Sequence, residues 1–101
     1  MTFLEKLQLI ERVDQLIRMK ATGSANDLAR KLGVSRRNVF HIINTMKAMD
    51  APIEYCPYKK SFYYKYPCEL MIGFVEKEKI KGGMSKNIIN FFLSAKNLHS
   101  N

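Results

Sequence analysis

The feature that most constrains the fold is the stretch SANDLARKLGVSRRNVFHIINTMKAM, residues 24–49, which predicts two short helices joined by a tight turn. In its first part, apolar residues recur at helical spacing around Ala29, whose small side chain lets a second helix approach closely. Gly33 then interrupts the helix where a positive φ is needed. Val34 is expected to fill the turn, and Ser35 to cap the next helix by accepting a backbone N–H.

The second helix of this stretch has one apolar and one polar face. The apolar residues recur at three- and four-residue steps and are expected to face inward; they are Val39, Ile42, Ile43 and Met46. The remaining polar and basic side chains are of types that hydrogen-bond phosphates and base edges in a DNA major groove. The candidate DNA-binding residues of this segment are therefore Ser35, Arg36, Arg37, Asn38, His41 and Asn44. The alternative interpretation is an ordinary helical hairpin with a solvated charged face.

The run GVSRRNVFHIINTMKAMDAPIEY, residues 33–55, resembles the winged helix-turn-helix domain of DeoR-type and WYL-type bacterial transcriptional regulators. The resemblance covers about residues 3–67. In this sequence Asn38 replaces the Thr that is common in those families, and Asp50 and Ala51 replace the usual helix-ending Gly. The resemblance implies an α+β fold, with a three-helix core, a β-hairpin wing and a recognition helix that binds double-stranded DNA.

The N-terminal segment predicts a first helix that completes the three-helix core. Thr2 and Glu5 have the spacing of a capping box, so the helix can start almost at the N-terminus. It should run to about Met19 and be ended by Lys20 and Gly23, with Gly23 as the left-handed terminator. Its inward residues are expected to be Phe3, Leu7, Ile10, Val13 and Ile17, with Leu9 and Leu16 widening the stripe.

After residue 49 the helical period stops, and Pro52 favours an extended backbone. Residues 52–56 and 61–66 are rich in β-branched or aromatic side chains and flank a short turn, which predicts a β-hairpin. Ile53 and Tyr55 are expected to face inward. The inward residue of the second strand stays open, since its aromatic run PheTyrTyr at positions 62–64 offers candidates on both faces.

The turn of this hairpin is basic. Lys59 and Lys60, with Tyr58 beside them, are candidate contacts to the phosphate backbone or the minor groove. The alternative is a tip that is charged only for solubility, since Lys is common on exposed strands.

Residues 68–101 form a C-terminal extension beyond a DNA-binding domain of residues 1–67. Residues 69–75 (ELMIGFV) predict a further strand. Five large apolar side chains then fall within six positions, and we expect this segment to mediate homodimer formation, with folding back onto the core as the alternative. These side chains are Ile88, Ile89, Phe91, Phe92 and Leu93. A further alternative is that Gly82 and Gly83 belong to a double-glycine leader like those of exported bacterial peptides, which would make residues 84–101 a cleaved peptide.

The composition fits one small basic domain. The chain has 101 residues and a formal net charge of +8. Residues 1–50 carry nine Lys and Arg against five Asp and Glu, and residues 51–101 carry eight against four, so the charge is not confined to a tail. A polyanionic partner is expected from this charge. The N-terminal residues lack the cationic segment and apolar run of a signal peptide. No stretch approaches the roughly 20 apolar residues of a membrane span. We therefore expect a cytoplasmic protein without a membrane partner.

Neither enzymatic nor metal chemistry is indicated. Cys56 and Cys68 are too far apart in sequence for a close ligand pair, and reduced thiols are expected. No catalytic constellation or phosphate-binding glycine loop occurs, so neither an enzyme nor a cofactor is expected. The sequence favours a sequence-specific DNA-binding transcriptional regulator. The alternative from another class is a winged-helix module that binds protein, with a basic surface that only keeps it soluble.

Overall fold

The computed structural model describes residues 1–77, and the predicted α+β class is confirmed there by three helices followed by an antiparallel hairpin. The elements are α1 (Phe3–Arg18), α2 (Ala25–Leu32), α3 (Arg36–Ala48), β1 (Ile53–Cys56) and β2 (Ser61–Tyr64). All five fall in one compact unit, Met1–Leu70. The proposed dimer segment at residues 88–93 and the double glycine at residues 82 and 83 lie outside the described residues.

α1 begins and ends close to the predicted positions. The Thr2 hydroxyl accepts the Glu5 N–H at 3.1 Å, as a capping residue does. The predicted terminator is wrong, because Lys20 rather than Gly23 takes the left-handed conformation directly after the helix, with φ 54°. Gly23 also has a positive φ, but it precedes α2, where an added Cβ would lie 2.7 Å from the Asp27 side chain. Close approach to the α2 cap therefore accounts for this glycine.

The core confirms most of the predicted inward residues of the helices. The buried apolar side chains of the three helices are Ile10, Val13, Leu16, Ile17, Ala25, Leu28, Ala29, Val39, Ile42, Ile43 and Met46. Phe3 contradicts its prediction, since its side chain is 77 % exposed. Leu7 and Leu9 are half-buried and full burial on α1 starts at Ile10, so only the first turn of this helix is left uncovered.

The turn between α2 and α3 has the predicted construction. Gly33 takes the left-handed conformation at φ 69°, and Val34 donates its N–H to the Ala29 carbonyl at 3.0 Å. The Ser35 hydroxyl then accepts the Asn38 N–H at 3.1 Å and caps α3. These local bonds fix where α3 starts and therefore which of its side chains face outward.

α3 ends without a glycine. Asp50 takes the left-handed conformation at φ 71°, where glycine is usual. The Asp50 N–H donates to the Lys47 carbonyl and the Ala51 N–H to the Met46 carbonyl, both at 3.0 Å. Aspartate tolerates this conformation better than most residues, so the helix can stop here without a glycine.

The hairpin pairs Ile53 with Tyr64 and Tyr55 with Phe62 across its two strands. Ile53 and Phe62 are buried, which identifies Phe62 as the inward residue of the second strand. Tyr55 lies on the same face, as predicted, but its side chain is 40 % exposed. It lies nearer the turn than Ile53, where its ring meets the Phe62 ring edge-on at a centroid distance of 4.9 Å.

The outer edge of β2 is bonded to a side chain rather than to a third strand. The Phe62 N–H donates to the buried Thr22 hydroxyl at 2.9 Å. The same hydroxyl lies 3.0 Å from the Ser61 hydroxyl. Thr22 comes from the loop between α1 and α2, so this loop holds the hairpin against the helices.

The base of the hairpin is tied to α1 by a polar cluster, which we call the Asp14 cluster and which comprises Asp14, Arg18 and Tyr64. The Tyr64 hydroxyl donates to Asp14 Oδ1 at 2.6 Å, and Arg18 Nε donates to both Asp14 oxygens at 3.0 and 3.1 Å. Arg18 also donates to the Cys68 carbonyl at 2.7 Å. Burial and the Asp14 hydrogen bond raise the pKa of Tyr64, so its phenol stays protonated.

The predicted strand at residues 69–75 is wrong, because the described residues contain a sheet of only two strands, β1 and β2. A strand needs a neighbouring ladder, and residues 69–75 have none within residues 1–77. Gly73 also has φ 114°, which lies outside the extended region and interrupts the alternating pattern. None of the helices described here is long and apolar enough to cross a membrane.

Candidate nucleic-acid interface

The outward face of α3 carries Arg37, His41 and Asn44, all of which are exposed. Their separations of four and three residues place them on one side of the helix, opposite the buried apolar residues. The helix sequence RRNVFHIINTMKA contains three cations and no carboxylate. This face can therefore donate hydrogen bonds to an anionic partner without competition from an acidic neighbour on the same helix.

Arg36 and Arg37, which the sequence analysis predicted as equivalent DNA contacts, lie in different surroundings. The Arg36 guanidinium lies over the Phe40 ring, with 5.2 Å between Cζ and the ring centroid. Arg36 and Phe40 belong to the flank of α3 that faces the hairpin, where they border an open groove of about 280 Å³. The groove is lined by Ser24, Ala25, Asn26, Arg36, Phe40, Tyr55 and Phe62. Arg37 has no such ring contact within residues 1–77 and points away from the core.

The start of α3 brings together Ser35 and Asn38. The Ser35 oxygen is occupied by the capping bond, but its hydroxyl hydrogen remains available as a donor. Asn38 is half-buried, in contrast to the other candidate residues of this helix. Backbone N–H groups at a helix start carry a partial positive charge, so this end of α3 suits a phosphate oxygen.

The hairpin turn exposes Pro57, Tyr58, Lys59 and Lys60 to solvent. Lys60 has φ 49°, a left-handed conformation that turns the chain into β2. Neither lysine takes part in the ion pairs found within residues 1–77. The turn is thus a cationic projection beside α3, since β1 packs on that helix.

Two carboxylates on the neighbouring elements α2 and β1 are engaged with partners outside α3 and the turn. Asp27 accepts hydrogen bonds from the Ser24 backbone and hydroxyl, which lower the pKa of Asp27, and it also pairs with Arg30. Glu54 accepts the Tyr63 hydroxyl at 2.9 Å and pairs with Lys65 at 3.2 Å, and these contacts lower the pKa of Glu54. Both acids therefore favour their ionised form, and their direct partners Arg30 and Lys65 lie outside α3 and the turn.

Lys47 belongs to this surface although the sequence analysis did not select it. It is exposed in the last turn of α3, and its charge contributes to the lowered pKa of Glu54 on β1. Its spacing of eleven residues from Arg36 is close to three helical turns, so both lie on the same flank. That spacing is the signal that could have identified it.

The structure brings no three His, Cys, Asp or Glu side chains together as a metal site within residues 1–77. Cys56 and Cys68 are both half-buried free thiols. No family model, curated protein or solved structure matches this chain.

Proposed function

We propose that this protein is a sequence-specific DNA-binding transcriptional regulator with a winged helix-turn-helix fold. In this proposal α2 and α3 are the helix-turn-helix, α3 is the recognition helix and the hairpin is the wing. The observation that carries the proposal is the outward face of α3, where Arg37, His41 and Asn44 are exposed on a helix without carboxylates. The resemblance of residues 3–67 to DeoR-type and WYL-type regulators supports the same assignment.

The surroundings of each residue suggest its contact with DNA. Arg37 can donate two hydrogen bonds to guanine O6 and N7, and Asn44 can pair with the adenine edge, which is how proteins read bases in the major groove. His41 lies between them on the same face. Ser35, Asn38 and Arg36 are better placed for phosphates, because they lie at the helix start or on its flank. Lys59 and Lys60 of the hairpin would bind the adjacent backbone.

A homodimer in the cytoplasm completes the proposal. One recognition helix reads few bases, so small regulators gain specificity by binding two half-sites as a dimer. The apolar residues at positions 88–93 are the segment that we propose for dimer formation. Truncation after Gly83 should then give a monomer in sedimentation that binds a half-site weakly. A full-length protein that sediments as a monomer would contradict this part.

The test of DNA recognition is selection of bound sequences from a random duplex library, followed by binding measurements on the selected site. Arg37→Ala is expected to cost about 1–3 kcal/mol on that site and much less on unrelated duplexes, as for loss of a bidentate base contact. Arg12→Ala is the matched control, because it removes the same charge from an exposed position on α1. Equal effects of the two substitutions would contradict the assignment of α3 as the recognition helix.

A protein-interaction module is the second candidate function, and the exposed start of α1 favours it. Met1, Phe3 and Leu4 are large apolar side chains left in solvent by the described residues. Clustered apolar exposure of this kind is typical of protein-binding surfaces. Salt separates the two candidates, because binding to DNA weakens steeply with added salt through counterion release and docking on an apolar surface does not.

A further inference from the structure

We propose that Tyr58 is a base-stacking residue, whose ring inserts at an unstacked base step of duplex DNA while Lys59 and Lys60 bind the flanking phosphates. The inference rests on the proposed function, since it requires the hairpin to lie on DNA. It adds a contact that depends on how easily the duplex deforms, in contrast to the hydrogen bonds proposed for α3.

Tyr58 differs from the other tyrosines of the hairpin in having no partner within residues 1–77. The Tyr55 ring packs on Phe62, the Tyr63 hydroxyl donates to Glu54 and the Tyr64 hydroxyl donates to Asp14. The Tyr58 side chain is 97 % exposed and makes none of these contacts. Its ring therefore contributes nothing to packing in the described part of the chain, and both of its faces are open.

The backbone that carries Tyr58 is well defined on both sides. The strands pair up to Cys56 and Ser61, directly next to the turn. Pro57 restricts φ at the residue before Tyr58. The buried Phe62 anchors the other strand in the core. A tyrosine on such a scaffold has only two side-chain torsions to order, so stacking costs little conformational entropy.

The charge beside Tyr58 indicates the class of ligand. Lys59 and Lys60 are exposed and are not paired with any carboxylate of residues 1–77. A ligand that matches two cations next to an open aromatic ring must combine anionic groups with flat π faces, as nucleic acids do. An anionic membrane matches less well, because stable attachment needs more buried apolar surface than one tyrosine ring provides.

Insertion of a ring into a duplex has a cost that depends on the DNA. The bases must be partly unstacked, which is easiest at flexible pyrimidine–purine steps and at mismatches. A stacking residue therefore makes the protein prefer duplexes that deform easily. Phosphate contacts from lysines alone do not create this preference, because phosphates carry no sequence information.

The experiment compares two short duplexes of the same length, one fully paired and one with a single central mismatch, using the full chain. We expect the parent protein to bind the mismatched duplex about threefold or more tightly, since unpaired bases cost less to unstack. Tyr58→Ala should lose this preference and bind the mismatched duplex about tenfold more weakly, in the range typical of lost base stacking. Tyr58→Phe keeps the ring and should behave as the parent.

A double variant, Lys59→Ala with Lys60→Ala, is the matched control for the charge. It should weaken binding to both duplexes equally and preserve the preference for the mismatch. 2-Aminopurine next to the mismatch reports stacking directly, and its fluorescence should change with the parent and with Tyr58→Phe but not with Tyr58→Ala.

The proposal is overturned if Tyr58→Ala keeps the parent's preference and affinity, or if the parent prefers neither duplex. It is also overturned if anionic vesicles bind the parent and neither duplex does. Failure of the proposed function looks different, because the parent would then bind neither duplex, and this outcome removes the stacking contact together with the proposed function. Binding of both duplexes without preference leaves the proposed function in place and removes only the stacking contact.

Discussion

The base and the tip of the hairpin differ in almost every physical property. At the base, Phe62 is buried, its N–H is bonded to Thr22, and Tyr64 donates to the carboxylate of Asp14. At the tip, Tyr58, Lys59 and Lys60 are exposed and form no ion pair within residues 1–77. Cys56 and Lys65 are only nine positions apart, so this contrast arises within a single short element.

The difference separates the residues that stabilise this small domain from those that we propose for binding. The base uses aromatic burial and paired polar groups, which fix the hairpin on α1 and on the loop that follows it. The tip uses side chains that add no packing, so they can be exchanged without loss of the fold. Substitutions at the base should therefore change unfolding, whereas substitutions at the tip should change binding alone.

The largest effect is expected for Phe62→Ala at the base. Removal of a buried phenylalanine ring typically costs about 3–5 kcal/mol, because the cavity is only partly refilled. Urea unfolding followed by circular dichroism measures this loss. Tyr63→Ala is the control on the same strand, since the Tyr63 ring lies on the outer face, and its cost should be clearly smaller. Similar costs for both would mean that the hairpin is not anchored through Phe62.

Asp14→Ala should be the next most damaging change. Asp14 is only 8 % exposed and accepts hydrogen bonds from Tyr64 and Arg18. Its loss leaves both donors without their acceptor and should cost about 1–3 kcal/mol of the free energy of unfolding. Glu11→Ala removes an exposed carboxylate from the same helix and serves as the control. If the two variants unfold alike, the Asp14 cluster does not stabilise the base.

Tyr64→Phe should cost about 1 kcal/mol at neutral pH, as for one lost hydrogen bond. It should also change the response to alkali. Burial raises the pKa of Tyr64 above its ordinary value of 10.0, so above that pH the unfolded chain loses a proton that the folded chain retains. The parent should therefore lose stability as the pH rises past about 10, and Tyr64→Phe should lose less. Unfolding midpoints measured from neutral pH to pH 11 give the comparison, and parallel curves would contradict the raised pKa.

The smallest effect on stability is expected at the tip. Lys59→Ala with Lys60→Ala should change the free energy of unfolding by less than about 0.5 kcal/mol, as is usual for exposed positions. The slope of log affinity for DNA against log salt should shrink by up to about 2, because two phosphate contacts are removed. A clear loss of stability would show that the tip contributes to folding after all.

Periodicity and capping residues predicted the helices and their buried faces. Val39, Ile42 and Ile43 face the core because an apolar stripe at helical spacing must be buried somewhere. The cap at Ser35 and the left-handed Gly33 were predictable because each satisfies a local backbone requirement. The exposed face of α3 follows from the same pattern, so the candidate residues of this helix could be named in advance.

Other features depend on neighbours that a single sequence does not reveal. Phe3 fits the apolar stripe of α1, yet it is exposed because the other elements do not cover the start of the helix. The stripe alone does not show how far those elements extend. Alternation at residues 69–75 predicted a strand, but a strand also needs a partner edge. Arg36 contacts the Phe40 ring and the adjacent Arg37 does not, a difference that residue type alone cannot predict. The Asp14 cluster joins residues fifty positions apart, and no local rule pairs them.

The Thr22 hydroxyl has a consequence for the exposed edge of β2. An open strand edge is a template on which another polypeptide can add a strand, and proteins protect such edges to prevent aggregation. Here one buried hydroxyl accepts the Phe62 N–H and thereby protects the outer edge of β2. Thr22→Val keeps the shape of the side chain but leaves the buried Phe62 N–H without this acceptor, which weakens the attachment of the β2 edge to the loop. A single oxygen atom thus contributes to keeping the aromatic run of β2 from pairing between molecules.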